Sequence, residues 1–409
     1  MTTLSEPLRL GSGAVLPNRI AKAAMEELLA VPGQLPGDAL FTLYRRMAAG
    51  GAGLLLTGHV MIDRRAVAQP GDVVLERDTP LEPFRRWAEA GRSAGRQVWM
   101  QINHPGRVIP KDLARTTWAP SAVPIEVGGL SSMYPTPRPM GERDVEEAVE
   151  RFAVTARRAR EAGFDGVEIH AAHGYLLSQF LSPLVNRRDD RWGGSLANRA
   201  RLLLDVVGAV RERVGTDFAV GVKLNSADFQ RGGFDTDDAR DVIKMLADVG
   251  ADLVELSGGS IESLATAGAP ADGRTLAREA YFLSLAQQLV ATSPLPLMLT
   301  GGIRRRAVAQ QVIDSGVAVA GVATALAIDP TLPGQWLDGH DAPADPPRTR
   351  LRNKTLAAAA LQSVTSRQLA RLGRGRPPTT LYSPAVALLV ERLVRARRRR
   401  GYLKWHTPG

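Results

Sequence analysis

The stretch GVEIHAAHGY, Gly166–Tyr175, joins a buried apolar run to two histidines and a tyrosine. The run has the length and composition of a buried parallel strand, and the polar residues come where that strand ends. Two more histidines take the same position, because His59 closes LLLTGH and His104 follows QVWMQIN. A (β/α)8 barrel builds its active site at the carboxyl ends of its strands, so this distribution predicts a barrel enzyme and locates its site.

Short apolar strands alternate with amphipathic helical segments along about 300 residues, which favours a closed α/β barrel of eight units. No GxGxxG motif follows the first strand, and this argues against an open dinucleotide-binding sheet. The predicted strands are Arg19–Ala24, Gly53–Gly58, Gln97–Asn103, Gly166–His170, Ala219–Leu224, Leu253–Ser257, Leu297–Thr300 and Val317–Val322. The predicted helices are Pro36–Ala49, Pro80–Ala94, Asp144–Ala162, Ser195–Val214, Thr236–Val249, Thr275–Ala291 and Arg304–Ser315.

Two segments depart from this repeat. Pro105–Arg143, between strand three and its helix, is rich in Pro, Gly and Ser and belongs over the site as a lid or an excursion with its own hairpin. After Asp329 the repeat ends, and Leu351–Leu372 and Ser383–Arg400 predict two further helices. We therefore predict a barrel over residues 1–340 and a basic helical extension over residues 341–409.

The net charge of +10 is concentrated in that extension. Residues 341–409 contain 15 Lys and Arg against 3 Asp and Glu, which leaves about −2 for the barrel. The high isoelectric point is therefore no sign that the barrel binds nucleic acid, and we expect no nucleic-acid partner. The helix ALLVERLVRARRRR is interpreted as packed on the barrel with a solvated basic face, and contact with an anionic surface is the alternative.

The 409 residues include no cysteine, which excludes disulfides, thiolate catalysis, iron–sulfur clusters and cysteine-bound zinc. No apolar run reaches the roughly 18–20 residues that would span a bilayer, so we expect no transmembrane segment. The N-terminus lacks the pattern of a secretory signal. The expected location is the cytoplasm.

The histidines after strand four suggest a chemistry of their own. If the chain turns helical there, His170 and His173 share a face, and two imidazoles can then both donate hydrogen bonds to one carbonyl oxygen. Tyr175 beside them could give a proton to a forming carbanion. The residue types also allow a zinc site with His59 or His104 as a third ligand, and packed structural histidines are the remaining alternative.

Other strand ends outline a place for a cofactor. Gln101 and Lys223 end strands three and five, and a lysine there is costly to bury unless it faces an anion or an electron-rich ring. Gly301 and Gly302 follow strand seven, where barrels of this kind commonly bind phosphate, although a tight turn would also explain them. Together these residues outline a cradle for a polar-edged cofactor such as a flavin.

The segment EIHAAHGYLLSQFLSPLVNRRDDRWGGSLANRARLLLDVV, Glu168–Val207, resembles the signature of the Old Yellow Enzyme family of FMN-dependent ene-reductases. NRIAKAAM, MQINHPGR, and GGI with GVATALAIDP follow in the family's order, so the resemblance covers about residues 5–335. It implies an FMN-bearing barrel that takes a hydride from NADH or NADPH and reduces the C=C bond of a small α,β-unsaturated carbonyl compound, with a homodimer as one assembly. A flavin-dependent dehydrogenase or isomerase of a cyclic enone, a metallohydrolase and a binding protein without turnover are the alternatives.

The resemblance also implies roles for individual residues. His170 and His173 correspond to the pair that binds the substrate carbonyl, and Tyr175 corresponds to the proton donor. Gln101 resembles the glutamine on the pyrimidine edge of the flavin, and Lys223 stands where the family usually has an arginine facing N1 and O2. The residues implied to lie against the ring or around the phosphate are Ala24, Met25, Glu26, His59, Gly301, Gly302, Ala323 and Thr324.

Three of these residues depart from the family's pattern. Glu26 replaces a usual Thr or Cys near flavin O4, where an ionised carboxylate would lower the flavin potential and a protonated one could donate a hydrogen bond. His59 replaces a residue that is often small. Thr324 replaces an arginine on the phosphate, and its loss should weaken FMN binding by roughly 1–3 kcal/mol unless Arg304 compensates.

We predict that the purified protein is yellow. Its visible absorption bands should bleach with anaerobic NADH or NADPH, and denaturation should release FMN. A colourless protein that cannot be reconstituted with FMN would contradict the flavin prediction and favour the metal or binding-protein alternative.

Overall fold

The computed structural model describes residues 2–406 except 94, 264–278, 342, 345–346, 348, 352 and 380–381. Eight parallel strands form one sheet that closes on itself through the pairing of the third and fourth strands, so the predicted barrel is confirmed. The strands, numbered in chain order, are β1 Ile20–Lys22, β2 Leu54–Leu56, β3 Gln97–Asn103, β4 Gly166–Ala171, β5 Ala219–Asn225, β6 Leu253–Ser257, β7 Leu297–Thr300 and β8 Val319–Val322.

Helices surround the barrel and continue into the extension. Those around the strands are α1 Asp38–Ala49, α2 Glu82–Arg92, α3 Glu142–Glu161, α4 Leu176–Leu181, α5 Leu196–Val214, α6 Thr236–Asp248, α7 Leu283–Val290, α8 Arg306–Asp314, α9 Thr324–Ile328 and α10 Leu332–Leu337. The extension adds α11 Lys354–Gly373 and α12 Pro384–His406. The helix predicted to start at Thr275 begins only at Leu283, and residues 275–278 lie outside the described part of the chain.

The strands divide their side chains between two cores because successive residues point to opposite faces. In β3, Val98 and Met100 pack under the helices, whereas Trp99 and Gln101 face the barrel interior. An apolar layer fills the amino end of the interior, formed by Ala21, Leu54, Trp99, Ala219, Leu253, Met298 and Val319.

An antiparallel ribbon closes this amino end. Leu8–Arg9 pairs with Val15–Leu16, and Leu10 and Leu16 join the apolar layer of the barrel interior. Water is thus excluded from one end of the barrel, so polar side chains in the interior are directed to the carboxyl end.

The excursion after β3 lies at that carboxyl end. Trp118–Ala119 pairs in parallel with Arg138–Pro139, and Gly128–Met133 forms a 3-10 helix between them. The predicted hairpin therefore does not form, because the two paired segments run in the same direction.

The extension packs against the barrel rather than standing apart from it. Helix α11 contacts α1 and α9, and α12 contacts α11. The Tyr402 ring is buried in an apolar cluster with Ile109 and Leu113 of the excursion, and its hydroxyl donates to the Arg64 carbonyl at 2.8 Å. Among the described residues, none of the helices combines the length and apolar character that crossing a bilayer requires.

The close packing of the barrel strands leaves no room for a side chain at Gly166 in β4. A Cβ at Gly166 would lie 2.8 Å from both the Ala219 carbonyl oxygen and the Trp99 ring. Gly166→Ala should therefore lower the free energy of unfolding by about 1–3 kcal/mol in a urea titration. Gly208→Ala is the matched control, because a Cβ there meets nothing within 4 Å and α5 should gain up to about 1 kcal/mol. Equal effects of the two substitutions would contradict the packing described.

Candidate active site

The inward positions at the carboxyl halves of β3 to β6 carry polar side chains in two layers. Glu168 lies beside Gln101, and Lys223 lies beside both Glu255 and His170 in the strand register. The lower layer consists of Gln101, Glu168, Lys223 and Glu255. The upper layer consists of Asn103, His170, Asn225 and Ser257.

The lower layer is a buried network of charges and hydrogen bonds. Lys223 Nζ lies 2.6 Å from Glu255 Oε1, and Gln101 Nε2 donates to Glu168 Oε2 at 2.6 Å. Burial raises the pKa of Glu168 well above its usual range, and the neighbouring Glu255 raises it further. Burial would also raise the pKa of Glu255, but Lys223 and a hydrogen bond from Glu168 lower it. Glu255 is therefore ionised and Glu168 is protonated, so the layer carries no net charge.

Lys223 retains hydrogen-bonding capacity. Its ammonium group has three N–H donors, and within the described part of the chain only Glu255 accepts from it. The side chain is almost fully buried, so water cannot easily satisfy the other donors. An acceptor supplied by a bound ligand would complete the site.

His170, His173 and Tyr175 converge above this layer. The His170 ring centroid lies 5.1 Å from that of His173 and 5.0 Å from that of Tyr175. No helix joins the two histidines, because His170 belongs to β4 and His173 has a left-handed backbone with φ of 61°. Asn225 Oδ1 accepts the backbone N–H of His173, which stabilises this conformation.

Both histidines are neutral. Burial lowers the pKa of His170 well below its usual range, and burial together with the Lys223 charge lowers the pKa of His173 to about 3. His170 Nδ1 accepts the Ala172 backbone N–H, so its proton is on Nε2. His173 Nε2 lies 2.7 Å from Ser257 Oγ, and donation by that hydroxyl would leave the proton on Nδ1. Each ring can then donate one hydrogen bond.

Tyr175 keeps its proton. Burial raises the pKa of its phenol well above the usual value, and the carboxylates of Glu26 and Asp72 raise it further. The residue precedes α4 directly, and its ring packs edge-on against both His170 and His59. A protonated phenol held beside two imidazoles can serve as an acid.

His59 differs from the other histidines because it lies between two carboxylates. Its Nε2 is 3.4 Å from Glu26 Oε1 and 3.6 Å from Asp72 Oδ1. Burial would lower the pKa of His59, but Asp72 and Glu26 raise it to about 10, so the ring is an imidazolium. Asn103 Nδ2 lies 3.2 Å from His59 Nδ1, and rotating the amide by 180° would present its unpaired Oδ1 to that N–H.

The zinc alternative requires that His170 and His173 share a metal with a third histidine. Among the described residues, the group whose ligand atoms lie close enough to hold an ion is Glu26, His59 and Asp72. It includes neither His170 nor His173. The imidazolium and its two carboxylates already account for this group as an ion-paired cluster.

The loops after β7 and β8 lie side by side. Gly301 and Gly302 have positive φ values, and the rings of Phe282 and Tyr281 occupy the side on which a Cβ would stand. Among the described residues, none accepts a hydrogen bond from the backbone N–H groups of Gly301, Gly302, Ala323 or Thr324. Arg304 pairs with Glu279 at 2.8 Å, so it is already engaged as a charge.

Ala24, Met25 and Glu26 follow the first strand and lie at the carboxyl end of the barrel, around His170 and His59. This end is called the mouth of the barrel below. Met25 is buried, and Glu26 joins His59 as described. Burial raises the pKa of Glu26, while the hydrogen bond with His59 lowers it. The structure thus brings Glu26 to His59 and Lys223 to His170, although these residues are far apart in sequence.

Sequence reasoning missed Glu168, Glu255 and Asp72. The first two could have been found, because each lies two residues before a predicted or observed mouth residue and therefore faces the same side of its strand. Asp72 carries no such signal, since it lies in the connection after β2 and reaches His59 only through the tertiary fold.

Comparison with known proteins gives consistent matches. The sequence model of the NADH:flavin oxidoreductase / NADH oxidase family matches residues 3–339. The NADH-dependent flavin oxidoreductase iliE of Hypocrea jecorina is 34% identical over 359 residues, covering 82% of this chain and 89% of that protein. The protein of the same name from Neonectria sp. is 37% identical over 353 residues, but the matched part of this chain, 80% of it, spans only 46% of that protein. The solved structure of an old yellow enzyme homologue from Zymomonas mobilis has a TM-score of 0.71 at 25% identity, covering 86% of this chain and 96% of that chain.

The charged state of His59 predicts a pH-dependent stability. Its folded pKa of about 10 exceeds the ordinary histidine value of 6.5, so its contribution is complete below about pH 6.5 and is lost as the pH rises through 10. His59→Gln should lower the melting temperature at pH 7, and its difference from wild type should shrink between pH 8 and 10.

His104→Gln is the control for this experiment. Burial lowers the pKa of His104 to about 4, so the ring is neutral across that range and the difference from wild type should be constant. A constant difference for His59→Gln as well would show that the ring is not an imidazolium.

Proposed function

The chain belongs to the NADH:flavin oxidoreductase / NADH oxidase family, which includes Old Yellow Enzyme, and we propose that it reduces the C=C bond of an α,β-unsaturated carbonyl compound. The observation that carries this proposal is the convergence of two neutral imidazoles and one protonated phenol at the mouth of the barrel. These groups match the needs of a substrate that develops negative charge on its oxygen and takes a proton on carbon.

The residues present fit FMN, the cofactor of this family. The free donors of Lys223 and the amide of Gln101 suit the polar edge of an isoalloxazine ring. The unpaired N–H groups of Gly301, Gly302, Ala323 and Thr324 suit a phosphate, which would approach from the side not occupied by Tyr281 and Phe282. When bound, FMN would supply the hydride-transfer chemistry between the reduced dinucleotide and the alkene.

We propose that His170 and His173 bind the carbonyl oxygen of the substrate. Each neutral ring can donate one N–H, and two donors on one oxygen stabilise the charge that develops there during reduction. Their neutrality matters because a charged pair would repel itself at a centroid separation of 5.1 Å. Burial thus supplies the protonation state that this role requires.

Tyr175 is the proposed proton donor. Its raised pKa keeps the proton available at neutral pH, and its ring lies beside the carbonyl-binding pair. A proton delivered to the α-carbon completes the saturated product. The nearby carboxylates of Glu26 and Asp72 oppose the formation of a tyrosinate, which favours re-protonation after each turnover.

The proposed positioning residues are Glu168 and Glu255. Glu255 fixes Lys223 at 2.6 Å, and Glu168 fixes Gln101 at 2.6 Å, so the two side chains that would face the ring are held before it binds. Ala24, Met25, Glu26 and His59 are further residues that would border the ring. The imidazolium of His59 offsets the carboxylate of Glu26 there, so the mouth is less negative than Glu26 alone would make it.

The predicted contact of the extension with an anionic surface is a further proposal. The outward side of α12 exposes Val386, Leu389 and Leu393, with Arg397 and Arg400 further along the same helix. An apolar stripe followed by cations is the pattern of a helix that binds an anionic interface. The predicted homodimer stays a prediction.

Tyr175→Phe tests the proposed proton transfer. With cyclohex-2-enone as the probe, the alkene-dependent oxidation of the reduced dinucleotide should fall by about 10²–10⁴-fold. Anaerobic bleaching of the bound flavin by the dinucleotide should keep its rate, because that step uses no acid from the protein. Tyr134→Phe, at the nearby half-buried tyrosine of the excursion, should change neither rate. A wild-type rate of enone reduction in Tyr175→Phe would exclude this residue as the donor.

A further inference from the structure

The two helices of the extension enclose a cavity beside the barrel. Its volume is about 300 Å³, and it reaches from the α11–α12 hairpin to Glu27 of the barrel. Its lining is dominated by positive side chains, namely Arg367, Arg371, Arg374, Arg376 and Arg398.

The carboxylates in the lining do not neutralise these arginines. Glu27 is already bound, because its Oε1 accepts hydrogen bonds from Lys22 Nζ at 3.3 Å, Tyr44 at 2.6 Å and the Gly58 N–H at 3.0 Å. Glu391 pairs with Arg398 at 3.3 Å. Four guanidinium groups therefore line the cavity without a carboxylate partner among the described residues.

Other contacts hold two of the four in place. Arg367 lies over the Tyr382 ring at 5.0 Å, and Arg371 donates to the Pro377 carbonyl. Arg374 and Arg376 are exposed at the rim, and no described residue accepts a hydrogen bond from their side chains. Like charges gathered on a concave surface repel one another, and a bound anion would relieve this repulsion.

The cavity lies next to the candidate active site. Arg398 lines the cavity and also interacts electrostatically with Asp72 and Glu26, the two carboxylates that hold His59. From the other helix, Gln362 approaches Glu26 Oε2 at 3.4 Å. A ligand could thus place one end at the barrel mouth and an anionic part among the arginines.

We propose that this cavity binds the phosphate groups of the reduced nicotinamide dinucleotide. Guanidinium groups match phosphate with paired hydrogen bonds, and several of them together suit a multiply charged group. The volume is at the lower limit for a ligand pocket, so it accommodates the phosphate-bearing part and not the whole dinucleotide. The inference rests on the dinucleotide as hydride donor and not on the identity of the alkene.

The test uses the full-length flavoprotein and ADP as the probe. Arg374→Gln with Arg376→Gln removes two rim cations, and Arg392→Gln with Lys404→Gln removes two exposed cations of α12 that do not line the cavity. Calorimetric titration should show that the cavity pair weakens ADP binding about tenfold or more, whereas the control pair changes it little. Melting curves of the wild type and the two double variants check that each protein is folded.

Kinetics then identify the source of the phosphate. With ferricyanide as the electron acceptor, the cavity pair should raise KM for the dinucleotide about tenfold and leave kcat unchanged, because the interaction is remote from hydride transfer. This assay needs no alkene, so a failure of enone reduction would leave the cavity proposal intact.

Three results would overturn the proposal. ADP binding could be unaffected by the cavity pair, or the cavity and control pairs could weaken it equally, which would indicate only the general positive field of the extension. The third result is that inorganic phosphate binds to the cavity and ADP does not displace it, which would mean that the cavity takes a free anion and not the dinucleotide.

Discussion

The pairing of Lys223 with Glu255 inside the barrel is the interaction on which the arrangement of the mouth depends. Both side chains are almost fully buried, so each would be very costly without the other. The pair holds a positive group where the ring of a flavin can meet it, and burial together with the charge of Glu255 raises the pKa of the neighbouring Glu168, which keeps its proton. Because it is protonated, Glu168 can donate a hydrogen bond to Glu255 while it accepts one from Gln101. One buried charge pair thereby fixes the side chains of the lower layer, beneath His170 and Tyr175.

Histidines that lie a few ångströms apart at the mouth have opposite charge states, although burial lowers the pKa of each. At His170 and His173 burial and the charge of Lys223 dominate, so both rings lose their charge and become hydrogen-bond donors of fixed direction. His59 has two carboxylates beside it and keeps its charge at the same depth. The protein therefore places neutral and charged imidazoles in one cavity, and the choice between them is made by partners from other loops. Such separation of protonation states is typical of sites that move protons.

The barrel and most of its mouth could be predicted from the sequence because both follow from local periodicity. The strands Gln97–Asn103, Leu253–Ser257 and Leu297–Thr300 have the predicted bounds, since each is a short apolar run with clear breaks. The helical turn expected between the histidines was wrong because Asn225, on another strand, fixes the left-handed conformation of His173. Asp72 and the arginine-lined cavity arise from contacts between distant segments, which no local pattern encodes.

Helix α12 joins parts of the chain that are synthesised far apart. Arg395 forms two hydrogen bonds with Asp112, which is 283 residues earlier, and Tyr402 reaches Arg64, which is 338 residues earlier. All eight barrel strands leave the ribosome before this helix does. The barrel can therefore close before α12 is made, whereas the excursion and the loop after β2 are fixed only when α12 docks on them. A chain that lacks α12 would expose the apolar cluster around Ile109 and Leu113, so the docking of α12 is itself the step that covers this side of the site.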